Sequence, residues 1–136
     1  MSSTTTEAIP VTDQAIELEI QAKGLTAPRV TPADLQANIA SEHYFTATEA
    51  LVGITRGPEW QATPAALDLL TFCVLVLRNG FTVTGESACA SPENFDAEIG
   101  RKIARDNAVA KLWPLMGYEL KERLHQRQLP AQAPVE

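Results

Sequence analysis

Cysteine is scarce: Cys73 and Cys89 are the only two. That is too few for a disulfide framework, so a reducing compartment, by default a cytoplasm, is the expected setting. Histidine is equally rare. His43 and His125 lie far apart, and no His/Cys/Asp cluster has the spacing of a metal site, so neither a metal nor another cofactor is expected. Positive charge is in deficit as well, with 11 Lys and Arg against 17 Asp and Glu and a formal net charge of −6. This argues against a nucleic-acid polymer held on a broad basic surface, although a small anion needs only a few local cations. The longest apolar run, Leu69 to Leu77, is interrupted by Thr71 and falls well short of the ~20 residues of a membrane span. The N-terminus, MSSTTTEAIP, lacks a basic stretch followed by an apolar core, so no signal peptide is expected. A Walker loop, a dinucleotide fingerprint and a nucleophile elbow are also missing, and Cys89 has no evident base beside it. The expectation is a protein that is not an enzyme.

What is there fits one ordinary globular domain: 136 residues, 45% hydrophobic and 21% charged. Residues 1–9 and 128–136 read as loose tails around a domain spanning 10–127. A first helix is predicted from Thr12 to a stop at Gly24, with Ile16 and Ile20 at helical spacing. A second starts at Thr31, where Thr-Pro-Ala-Asp supplies a cap, a first-turn proline and an early acid. It carries Leu35 and Ile39 and ends near Ser41. EHYFTA, residues 42–47, suggests a strand, and 48–64 reads as a long irregular loop. LDLLTFCVLVLR, residues 67–78, leads into Asn79-Gly80, and FTVTGES, residues 81–87, returns. Asn-Gly between such runs is a strong hairpin signal, because both residues tolerate positive φ. Both faces of the first hairpin strand are apolar, which implies cover on both sides, from helices or from a partner subunit.

A long helix is predicted from Ser91, with Pro92 and Glu93 in its first turn. Its apolar stripe, Phe95, Ile99, Ile103, Ala110 and Trp113, is expected to face the core, with Asp106 paired within that stripe. Pro114 separates a last helix. The predicted fold class is α+β: a small antiparallel sheet with a central hairpin packed on the long C-terminal helix, plus shorter helices.

On the opposite face of the long helix, Asn94, Arg101 and Arg105 fall close together. Two arginines at i,i+4 repel unless an anion or a carboxylate lies between them. The pair suits a pyrophosphate clamp; alternatively it is a solvated face with Glu98 and Lys102 as ion partners. The segment from Gly85 to Ser91 leads into a helix start, which either holds an anion or is a plain capped turn. Phe81 follows the tight turn directly, placed either to stack on a flat ring or to pack on a neighbouring subunit.

The words NGF, VTGESAC, SPENF, EIGRKIAR and W-P-L-x-G-Y, all within 77–124, together are highly specific. This block, about a third of the chain, resembles a family of small tailed-bacteriophage proteins that contains the phage anti-Thoeris sponge. Upstream, EHYFTA and FCVLVLRNG are similar too. The resemblance implies a small α+β homo-oligomer, a homodimer or a trimer of dimers, in the cytoplasm of the infected or lysogenic host. It implies binding of a cyclic ADP-ribose isomer, and in some members cyclic oligonucleotides, held without cleavage in a pocket at a subunit interface. By motif position the implied ligand-binding residues are Phe81 and Thr84 on the hairpin, Ser91 and Asn94 at the helix start, and Arg101 and Arg105 on the helix. Two rival readings remain: an enzyme degrading such a signal with Glu86 or Asp106 as general base, and a phage protein gripping a host protein through the apolar sheet and the 48–64 loop.

Overall fold

Three strands order themselves around the Asn79-Gly80 turn. A computed structural model of the chain describes residues 9–54 and 63–130. The expected tails 1–8 and 131–136, and residues 55–62 of the expected loop, lie outside the described residues. The element order is α1 (Val11–Ala22), α2 (Pro32–Asn38), β1 (Ile39–Thr46), α3 (Ala47–Ile54), a 3-10 turn (Ala65–Leu69), β2 (Leu70–Leu77), β3 (Thr82–Ala88), a short 3-10 turn (Pro92–Asn94), α4 (Ala97–Ala110) and α5 (Leu112–Gln128). The protein is α+β, with one antiparallel sheet in the order β1-β2-β3.

The starts of α2, α3 and α4 each carry a side-chain cap. Thr31 Oγ1 accepts from Asp34 N at 3.1 Å while Asp34 Oδ2 accepts from Thr31 N at 2.9 Å, a reciprocal capping box. Gly24 and Gly80 have φ of 67° and 89°, the left-handed region that a helix stop and a tight turn require. α2 ends at Asn38, short of the predicted Ser41, because Ile39 already pairs with Leu77 as the first residue of β1. Residues 48–54 of the expected irregular loop are helical, as is Ala47, the last residue of the expected strand. Thr46 Oγ1 accepts from Glu49 N at 3.2 Å and Glu49 Oε1 accepts from Thr46 N at 2.9 Å, a second capping box. β2 begins at Leu70, three residues later than predicted, because 65–69 form a 3-10 turn.

The start of the long helix is also corrected. Ser91 heads only the short 3-10 turn and makes no side-chain cap. The true cap of α4 is Asp96, whose Oδ1 accepts from Ile99 N at 3.0 Å. α4 and α5 part at Lys111, so Pro114 falls within the first turn of α5, where its missing N–H removes nothing.

One face of the sheet makes the core. Register places Leu75 between Glu42 and Val83, and Cys73 between Tyr44 and Gly85. Thr71, Cys73, Leu75 and Leu77 are all buried on this side, under α4, which packs on β3 and β2. The helix reaches the sheet through Gly100, Ala104, Ala108 and Val109. The predicted core stripe holds only at its ends: Trp113 packs on the core and Phe95 is half-buried, whereas Ile99 and Ile103 are 56% and 46% exposed and Ala110 is exposed too. The reason is the short approach. A Cβ on Gly85 would lie 2.2 Å from Ala104 O and 2.3 Å from Ala108 N, so only the small-residue face of α4 fits against β3.

Among the described residues no helix covers the second face as α4 covers the first. Leu70, Phe72, Val74 and Val76 point there and stay half-buried, with Phe45 stacked on Phe72 at 5.4 Å between ring centroids. Exposed His43, Thr82, Thr84 and Glu86 rim this strip.

Candidate functional site

The six residues marked by motif do not converge within one chain. Phe81 stands at the hairpin tip, its backbone pinned and its ring 55% exposed. Its carbonyl accepts from Leu77 N at 2.8 Å, and its N–H donates to Asn79 Oδ1 at 2.9 Å. Ser91 and Asn94 stand at the other end of β3. The seven-residue strand alone, rising ~3.3 Å per residue, separates them from Phe81 by about 20 Å. Thr84 pairs with Val74 and so lies on the open face of the sheet, away from α4. Its hydroxyl donates to Glu86 Oε1 at 3.5 Å. Asn94 is exposed, and Ser91 is half-buried with its carbonyl accepting from Asn94 N and Cys89 Sγ.

The two arginines differ sharply. Arg101 is exposed and makes no hydrogen bond or ion pair among the described residues. Arg105 Nε donates to Glu42 Oε2 at 3.0 Å and its Nη2 to Gln36 Oε1 at 2.7 Å, with the side chain only 14% exposed. It ties α4 to β1 and α2. The carboxylate that relieves the i,i+4 repulsion is therefore Glu42, which local spacing could not reveal. Glu42 also accepts from Tyr44 OH at 3.0 Å. Burial, then that carboxylate, holds the Tyr44 hydroxyl well above the usual phenol range. Burial likewise raises the Cys73 thiol, so neither group is a ready nucleophile at neutral pH.

Asp106, expected to be structurally paired, makes no ion pair or hydrogen bond among the described residues. The residue is exposed, and only partial desolvation raises its carboxyl above the ordinary value, Arg105 opposing and Asp13 adding to the shift, so the effect on stability is small. A folded-state value above the unfolded one means stability present at acid pH and lost as pH rises through the folded value. Asp106→Asn is therefore expected to raise the melting temperature at pH 7 and to match the parent at pH 3, a comparison made by differential scanning fluorimetry at both pH values. A lower melting temperature at pH 7 contradicts the assignment.

Among the described residues no group of three or more His, Cys, Asp or Glu is placed to hold a metal ion, and no helix is long and apolar enough to cross a membrane. The arrangement offers binding groups: a pinned aromatic ring, an unpaired guanidinium and several exposed short polar side chains.

Residues 30–124 match the model of the phage protein (N4 Gp49/phage Sf6 gene 66) family. The chain belongs to that family. The match begins one residue before the Thr31 cap and takes in α2, β1, the hairpin, α4 and most of α5. It leaves out α1, which has no buried residue. No curated protein and no solved structure matches the chain. Many of the motif words resolve into packing: the glycine of VTGESAC meets Ala104 and Ala108, and that of EIGRKIAR sits over Thr71.

Proposed function

We propose that the chain binds and sequesters a nucleotide immune signal, a cyclic ADP-ribose isomer with cyclic oligonucleotides as further ligands, and does so without cleaving it. It would act as a phage anti-defence protein, of the anti-Thoeris kind, in the host cytoplasm. Membership of a phage family and the motif resemblance support the phage setting. The observation that carries the binding reading is the state of the marked residues. Phe81, Thr84, Asn94 and Arg101 are all exposed, and an exposed aromatic and exposed polar groups can supply the stacking and polar contacts of a ligand surface. Spread over two ends and two faces of one chain, they would meet only when a second copy supplies the missing side. The open apolar strip of β2 supports such pairing.

Two measurements test this. Light scattering at micromolar concentration is expected to give a dimer or a multiple of it; a monomer removes the interface pocket. For sequestration, the protein is loaded with the bound signal, denatured, and the released ligand chromatographed. Intact ligand at no more than one per site is expected. Product formed in excess of protein contradicts the proposal and favours the degrading enzyme.

A further inference from the structure

A groove of about 570 Å³ opens at the hairpin tip, between the β2–β3 turn, the C-terminal end of α2 and one face of α5. Its size falls within the ~300–1,000 Å³ range of small-ligand sites. We propose that this groove, not the outer face of α4, receives the ring and the phosphates of the nucleotide; the assignment rests on the nucleotide-binding reading above. Phe81 forms one wall, and Leu115 and Met116 of α5 form an apolar surface across from it. A flat ring entering here would lie against the exposed phenyl face, whose backbone the turn already holds by hydrogen bonds through Asn79 and Leu77. Little ordering is left for binding to impose.

The rim holds guanidinium groups although the chain is acidic, and with Glu17 on Arg29 its charges balance. Arg29, Arg78 and Arg123 line the groove against two carboxylates, Asp34 and Glu119. Arg29 is already engaged bidentately by Glu17 at 2.6 and 2.8 Å, and Arg123 donates through Nε to Glu119, while its two terminal nitrogens make no bond among the described residues. Arg78 is exposed, and its side chain makes no bond among the described residues. Phosphate oxygens would therefore bridge Arg78 and Arg123, since guanidinium forks suit them. On α4, by contrast, Arg105 is committed to Glu42 and Gln36, so a phosphate there would have to displace a carboxylate.

The chain has two methionines, Met1 and Met116, so methyl-labelled methionine gives a direct reporter on the groove. The labelled full-length protein is titrated with cyclic ADP-ribose and, separately, with a cyclic tri-adenylate, and affinity is followed by calorimetry. The proposal expects a saturable shift of the Met116 methyl and, for Arg78→Gln and Arg123→Gln, affinity weaker by about tenfold or more, the loss typical of a charged hydrogen bond. Lys102→Gln, an exposed residue of α4 paired with Glu98 and outside the groove, should bind like the parent. If nucleotide binds but Met116 stays still, or if both groove variants keep parental affinity, the groove is overturned while the nucleotide reading stands. If neither nucleotide binds the parent protein at all, both fall together.

Discussion

Replacing Gly85 with alanine is expected to cost the protein about 3 kcal/mol or more, the upper end of what overpacking does in a close-packed core. The new Cβ would stand 2.2 Å from Ala104 O and 2.3 Å from Ala108 N, and both are helix backbone with no rotamer to swing away. α4 would have to lift off β3, and with it the buried Cys73, Leu75 and Val83 would lose cover. At roughly 3–5 °C per kcal/mol for a chain of 136 residues, the melting temperature should fall by about 10 °C or more. The same substitution elsewhere should be mild. Gly100 would meet the buried side chain of Thr71 at 3.1 Å, a tight contact but not a backbone clash, and Gly117 on α5 would meet nothing within 4 Å. Gly117→Ala should therefore stabilise slightly, by up to about 1 kcal/mol, through helix propensity alone. A Gly85→Ala protein that melts with the parent would show that α4 does not sit where the fold has it.

Arg105→Ala is expected to destabilise by about 2 kcal/mol, whereas Arg101→Ala should stay within about 0.5 kcal/mol. The first removes the partner of both Glu42 and Gln36 and cuts the tie among α2, β1 and α4. Breaking a fully buried pair costs about 3–5 kcal/mol and an exposed one at most about 1. The pair here is 14% and 39% exposed on its two sides, so an intermediate value follows. Chemical denaturation of the two single variants and of Arg105→Ala/Glu42→Gln checks the mechanism: the double variant should recover part of the loss, because the orphaned carboxylate is gone. Equal stability of Arg101→Ala and Arg105→Ala would place both residues on a solvated face.

The contrast between these arginines marks where local pattern stops being informative. Asn79-Gly80 and the Thr31 capping box declare themselves within a few residues, and both elements stand where the pattern put them. The Thr46–Glu49 box is the same signal, set at the head of a segment whose glycines and prolines are the marks of a loop. The core face of α4 was read by hydrophobicity, which ranks Ile99 and Ile103 above Gly100, Ala104 and Ala108. What selected the small residues was distance to the sheet, announced only by a glycine inside β3. Glu42 lies 63 residues from Arg105, and the groove joins Phe81 to Met116 across the fold; no spacing rule reaches either. The α+β class was legible because hairpin and helices are separate runs of residues. Which surfaces face which was not, because that depends on close approach.

The most direct measurement is isothermal titration of the purified full chain with a panel of cyclic ADP-ribose isomers and cyclic oligonucleotides. Sequestering a signal present at about micromolar concentration calls for a dissociation constant near nanomolar, roughly −12 kcal/mol. Saturable binding of at least one panel member at that strength, weakening as salt screens the exposed arginines, is the predicted result. Heat of dilution alone across the whole panel would contradict it.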